Sequence, residues 1–338
     1  MNRKDFLSSV VPLVTVASAV AGTKKINNED SLKTPPYLKE GNVIGITCPS
    51  GYITEEEIQP AITKLQEWGF QVRVGKTVGA RDFSFGGTDA ERTEDLQQML
   101  DDRDIDAILF GRGGYGAVRI IDNIDFTTFK KRPKWLIGFS DATVFHSHVN
   151  RNYGIATIHS KMCNSFPVDW SKAEPSQIET INSIRKCLIG DNMQYTAIAN
   201  EKNRIGRGEG ILTGGNLSIL QNLAGTKSEI HTKGKILFVE DTGEYLYSID
   251  RMFWNLKRSG KLDKLNGLII GGFKTKPDDA GEEFGRSLYD IVNEVVKEFS
   301  YPVCFDFPVG HQKNNYALKC GVRHRLHVFF DSVTLNEV

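Results

Sequence analysis

Apolar residues in the first half of the chain follow two rhythms that take turns. Residues 42–47 are a short apolar run of the buried-strand type, broken by Cys48-Pro49-Ser50-Gly51. Thr54 and Glu57 then have capping-box spacing, and Ile58, Ala61, Ile62, Leu65 and Trp68 recur at helical intervals up to Gly69. Residues 70–74 read as a second strand. The unit then repeats. Thr88 and Glu91 can cap a helix bearing Leu96, Met99 and Leu100, and the strand at 105–110 runs straight into Gly111-Arg112-Gly113-Gly114-Tyr115-Gly116. A further helix and a strand at 135–138 lead to Phe139-Ser140-Asp141. Such alternation predicts an α/β fold, with a parallel sheet covered on both faces. Ligands collect beyond the carboxyl ends of strands in such sheets. Three turns fall at that edge: residues 49–51, the Gly111 loop and the Ser140 turn.

Residues 191–210 are polar and glycine-rich, which suggests a link between two domains. After it come an apolar segment at 211–220, a strand at 235–239, a helix at 249–256, a strand at 268–270, a helix at 287–297 and late strands ending near Leu335. This half is mixed α/β, and periodicity alone does not give its topology. The expected division is residues 37–190 for an N-terminal domain and 211–338 for a C-terminal one, joined by 191–210.

The extreme N-terminus breaks the pattern. A basic start, Arg3 and Lys4, precedes an apolar stretch at 6–16 and the small residues Ala17, Ala19, Ala21 and Gly22. This is the layout of a secretory signal over residues 1–21, with residues 22–36 as a linker ending in Pro35-Pro36. The apolar stretch is too short for a comfortable membrane span, so export toward the periplasm without stable membrane insertion is expected. Without a signal, the chain would stay cytoplasmic.

Charge narrows the partners. The 42 basic and 42 acidic residues cancel, leaving no overall electrostatic footprint for nucleic acid. A peptide or other small substrate fits better. The five cysteines are scattered without a C-x-x-C pair, so neither a zinc knuckle nor a thioredoxin-like motif is present. Buried free thiols are the plainest reading, with room for a single bridge such as Cys304 to Cys320.

Candidate chemistry starts at Gly138-Phe139-Ser140. A strand that turns sharply into a helix can push a serine Oγ out over the sheet edge, as in a nucleophile elbow. The second glycine of G-x-S-x-G is here Ala142, and a serine in this place is also a common helix cap. A hydroxyl nucleophile needs a base, and the base needs an orienting acceptor. Of seven histidines, His146 and His148 point apart on the expected helix after Ser140, which argues against a metal pair. His159 ends a strand-like run and competes for the base. His231, His324 and His327 carry no local signal. His311 follows Gly310 in a loop just past an apolar segment, where positioned catalytic groups tend to occur. Glu240 and Asp241 end an apolar strand, and carboxylates so placed are costly unless paired. Asp250-Arg251 reads as a structural ion pair on a helix.

Taken in order, these segments resemble the LD-carboxypeptidase family, which also contains microcin C self-immunity peptidases. The matching pieces are residues 48–51, Gly86-Gly87-Thr88 with Arg92, 112–116, 138–143, Gly214-Gly215-Asn216-Leu217 with Leu223, Gly225 and Thr226, residues 239–241, 249–251, 271–273, and Gly310-His311. They span roughly residues 41–326. The resemblance implies a Rossmann-like N-terminal domain carrying a Ser140 nucleophile. It implies a C-terminal domain carrying Glu240 as acid and His311 as base, with the triad assembled at the domain interface. It further implies an oxyanion hole from the N–H groups of Asp141 and Gly114, with Arg112 a candidate partner for a substrate carboxylate. No metal or organic cofactor is required, and a homodimer is compatible. One departure is His159-Ser160-Lys161 in place of the family's usual His-Gly-Pro.

The expected reaction is removal of terminal D-alanine from peptidoglycan-derived tetrapeptides through an acyl-enzyme. A microcin C-type acyl-nucleotide hydrolase is the alternative, with Trp170 the one hint of an aromatic nucleotide contact. A non-catalytic or dinucleotide-binding protein using the Gly111 loop ranks lower, because no Gly-Lys-Ser/Thr follows.

Overall fold

The computed structural model describes residues 32–338. The export signal read at residues 1–21 and most of the following linker lie outside the described residues. Among those described, no helix is long and apolar enough to cross a membrane.

The alternating half folds as its rhythm predicts. Strands β1 (Val43–Thr47), β2 (Gln71–Val74), β3 (Ala107–Phe110), β4 (Trp135–Gly138) and β5 (Thr157–His159) are mutually parallel in the order 2-1-3-4-5. Between and after them run α1 (Glu55–Glu67), α2 (Asp89–Asp101), α3 (Ala117–Ile120), α4 (Thr127–Lys131), α5 (Thr143–Tyr153) and α6 (Pro175–Ile189). Thr54 and Thr88 both complete the capping boxes that open α1 and α2. Strand order reverses between β1 and β3, the switch point beyond whose carboxyl ends sheets of this kind bind ligands.

Seven strands build the second sheet: β6 (Gln194–Ile198), β7 (Gly206–Asn216), β8 (Ile236–Glu244), β9 (Gly267–Thr275), β10 (Val303–Cys304), β12 (Arg323–Val328) and β13 (Ser332–Glu337). Its order is 10-9-8-7-12-13-6, parallel from β10 to β7 and antiparallel beyond. Helices α7 (Leu217–Asn222), α8 (Leu246–Arg258) and α9 (Leu288–Val296) bury Leu217, Phe253 and Val292 in an apolar cluster beside this sheet. The remaining strand, β11 (Leu318–Cys320), leaves this half and pairs antiparallel with β5 of the first sheet.

One continuous apolar core runs from Ile46 and Ile137 of the first sheet to Phe238 and Leu326 of the second, so the sheets are held by shared burial. All five cysteines are buried and free, Cys304 and Cys320 included. Arg251 lies over the Tyr247 ring at 5.6 Å, and among the described residues no ion pair joins it to Asp250. Adjacent residues on a helix do not face one another, which accounts for the difference from the expected pairing.

Candidate active site

Ser140 sits where β4 ends, in a one-turn 3-10 segment, Ser140–Ala142, that leads into α5. Its φ is +61°, a left-handed conformation that few side-chain-bearing residues adopt. Strain of this kind persists only where the surroundings impose it. Here the packing beneath the turn is close. A Cβ on Gly138 would lie 2.9 Å from Phe110 and 3.0 Å from the Ala142 Cβ. The turn therefore tolerates a methyl at 142 because the facing residue has none.

The Gly111 loop closes over the same spot. A Cβ on Gly113 would stand 3.2 Å from Ser140 Oγ, whereas Gly114 faces the backbone of Gly51. Gly51 N–H donates to Gly113 O at 2.9 Å, tying the β1 and β3 turns together. Arg112 donates through Nη1 to Tyr52 O at 3.1 Å. Residues 111–116 do carry G-x-G-x-x-G spacing, on which a dinucleotide site would depend. The helix that follows is only four residues long, and Asp141 Oδ2 already accepts its first N–H, Ala117, at 2.8 Å. A carboxylate thus occupies the place a pyrophosphate would take. Burial pushes the Asp141 carboxyl above its usual range.

Glu240 belongs to the middle of β8, fully buried, where the ladder to β9 shifts between Val239 and Asp241. Its Oε2 lies 2.5 Å from His311 Nδ1 and also accepts the His311 backbone N–H at 3.2 Å. A carboxylate can only accept, so Nδ1 carries the proton and Nε2 is left free to act as a base. Gly310 makes this approach possible. It has φ +97°, and a Cβ there would lie 2.3 Å from Glu240 Cβ. Asn315 Oδ1 accepts the Gly310 N–H at 2.8 Å and pins the loop.

The two halves meet at Phe139, whose ring centroid is 4.9 Å from that of His311. The imidazole thus packs on the residue preceding Ser140. Among the described residues no hydrogen bond joins Ser140 Oγ to His311, and such bonds often tighten only when substrate arrives.

The other histidines are engaged elsewhere. His146 Nε2 donates to Gly138 O at 2.9 Å, and burial pushes its pKa down to about 4. His148 meets Ser228 Oγ at 2.8 Å. His159, the rival base, is fully buried against Phe139 and Phe238, and burial holds it neutral. The Asn315 side chain approaches it without completing a hydrogen bond. His324 is likewise buried, bonded to Val322 O.

Sequence reasoning did not single out the residues that join the halves. Thr143 Oγ1 accepts the Asn216 N–H at 3.0 Å, and Asn216 Nδ2 donates to Asp241 Oδ1 at 3.1 Å. Ser218 N–H completes the set on Asp241 Oδ2 at 2.8 Å. Gly215 has to be bare, because a Cβ would fall 2.5 Å from Thr143 Oγ1. The signal was present in Gly214-Gly215-Asn216, but its meaning depended on a partner 73 residues away. Burial raises the Asp241 carboxyl to about 6, against these hydrogen bonds and with the Glu240 charge beside it. Among the described residues, no cluster of three or more histidine, cysteine or acidic side chains is arranged to hold a metal ion.

Comparison with known proteins adds to this geometry. Residues 44–160 match the LD-carboxypeptidase N-terminal domain, and residues 209–326 match the LD-carboxypeptidase C-terminal domain. A probable murein peptide carboxypeptidase of Bacillus subtilis is 32% identical over 291 residues, covering 86% of this chain and 90% of that protein. The microcin C7 self-immunity protein MccF of Escherichia coli is 26% identical over 331 residues, covering 88% and 94%. Among solved structures, the muramoyltetrapeptide carboxypeptidase from Oxalobacter formigenes superposes with a TM-score of 0.77 at 28% identity, over 88% of this chain and 98% of that one.

Proposed function

The chain belongs to the LD-carboxypeptidase family and is a serine peptidase, and from that premise we propose that it removes terminal D-alanine from murein tetrapeptides by way of a Ser140-His311-Glu240 triad. One observation carries the reading. A fully buried Glu240 holds His311 Nδ1 at 2.5 Å, and that imidazole packs on the residue just before a strained serine.

Each group has a task that its surroundings suit. His311 Nε2 takes the proton from Ser140 as Oγ attacks the carbonyl. Glu240 keeps the imidazole in the needed tautomer and stabilises its cationic form. The backbone N–H groups of Asp141 and Gly114 receive the tetrahedral oxyanion. His311 then protonates the departing amine, and water, activated by the same imidazole, releases the acyl group from Ser140.

The microcin-type alternative wants an aromatic surface for a nucleobase. Trp170, its candidate, carries the Lys64 ammonium 3.9 Å above its ring and packs against the core. The murein reading asks for nothing of the kind. Mass spectrometry of a murein tetrapeptide tests it. The wild-type protein should release D-alanine, and Ser140→Ala should slow that release by about 10⁴-fold or more. An untouched tetrapeptide, or an equally active Ser140→Ala variant, would sink the proposal.

A further inference from the structure

Carboxypeptidases recognise a chain end, and that end carries a free carboxylate that wants a cation or a set of N–H donors. Where the cation must stand follows from the chemistry. The imidazole protonates the departing nitrogen, so that nitrogen lies against His311 at the moment of cleavage. The α-carboxylate carbon is one Cα beyond it, about 2.5 Å away by covalent geometry. The cation must therefore stand on the His311 side of the cleft.

Lys161 stands there. Its Nζ donates to the carbonyl of Gln312, the residue after His311, at 2.9 Å. The same ammonium lies 5.2 Å from the centre of the Phe139 ring, which also packs the imidazole. Arg112, by contrast, is engaged at Tyr52 O beside the Gly113 turn.

Pairing sets Lys161 apart. It lines a cavity of about 630 Å³ together with Lys172 and Lys313. Lys172 pairs with Asp169 at 3.1 Å and Lys313 with Glu174 at 2.8 Å. Among the described residues Lys161 has no carboxylate within ion-pair distance, and a neutral carbonyl uses only one of its three N–H donors. A half-buried ammonium with no carboxylate directly paired to it is costly, and a ligand anion offsets that cost. Burial and the nearby Lys274 charge lower the Lys161 pKa, and the Glu240 charge opposes them.

We propose that Lys161 binds the free α-carboxylate of the residue that leaves, and so makes the site selective for chain ends. The assignment rests on the carboxypeptidase reading above. It also gives a use to the position where the family's usual proline is replaced by lysine.

Two tetrapeptides test it, one ending in D-alanine and the other in D-alaninamide, with wild type, Lys161→Met and Lys161→Arg. Wild type should prefer the free acid. In Lys161→Met the acid-to-amide ratio of kcat/KM should fall by roughly 10- to 100-fold, chiefly through KM for the acid, the usual scale for a lost charged hydrogen bond. Lys161→Arg should recover most of the ratio. If Lys161→Met slows both peptides equally and the ratio holds, Lys161 only braces the His311 loop and the assignment fails alone. If wild type cleaves neither peptide, the carboxypeptidase reading falls and takes the assignment with it.

Discussion

The first sheet holds Ser140 by backbone geometry, whereas the second holds its pair by clearing space. Around Ser140 everything needed lies within a few residues: a short strand, a φ of +61°, a bare Gly138 and a helix to follow. Around Glu240 nothing is local. The carboxylate and its imidazole are 71 residues apart in the chain. They meet only because Gly310 leaves room and Asn315 pins the loop. A nucleophile can be presented by a single turn, since it needs exposure and little else. A buried carboxylate must have its partner delivered, because an unpaired charge in that position is expensive.

This contrast makes the second sheet the more fragile contributor, and three substitutions probe it. Glu240→Gln gives the largest expected effect. An amide can present N–H to Nδ1 and favour the wrong tautomer, so kcat should fall by about 10³- to 10⁴-fold with the fold retained. Steady-state kinetics beside a thermal melt would measure it. A variant with near-normal turnover would mean that the imidazole is oriented by something else.

Gly310→Ala comes next. The added methyl would meet Glu240 Cβ at 2.3 Å, in a backbone conformation unfavourable for alanine. Loss of roughly 10²-fold in kcat and about 2–4 kcal/mol of stability is expected. Gly225→Ala is the matched control. It has positive φ too, but nothing lies within 4 Å of the added methyl. It should cost only about 1 kcal/mol and no activity. Equal damage from the two would show that backbone strain, and not the crowding of Glu240, is what matters.

The smallest effect concerns pH. Burial raises the Asp241 carboxyl from 3.8 to about 6 in the folded chain. A raised carboxyl favours the folded state most when protonated. Its contribution is complete below pH 3.8 and is lost as pH rises through about 6. Asp241→Asn removes this titration. Its stability relative to wild type should therefore climb between pH 4 and 6, by on the order of 1–3 kcal/mol. Denaturant melts across that window would read it, and a flat difference would contradict the raised pKa.

Much of the first sheet was legible because its information is local. Capping boxes at Thr54 and Thr88 and alternating apolar runs each report on neighbours a few residues away. The strained turn at Ser140 was equally readable, since strand, small residue and helix follow in succession. Less of the second half could be read. No periodicity announces that β11 crosses to the first sheet, or that β7 is parallel to β8 and antiparallel to β12.

The sequence by itself determined the α/β class and, through its ordered motifs, the family, and it named the three side chains proposed here for the site. Tertiary structure alone decided why Gly310 is bare, why Thr143 is bound to Asn216, and which histidine faces a carboxylate. The physical reason is range. Hydrogen bonding and apolar periodicity along an element act over a few residues and leave a pattern in the text. Steric clearance and the pairing of buried charges act between distant segments, and become visible only when the chain has folded.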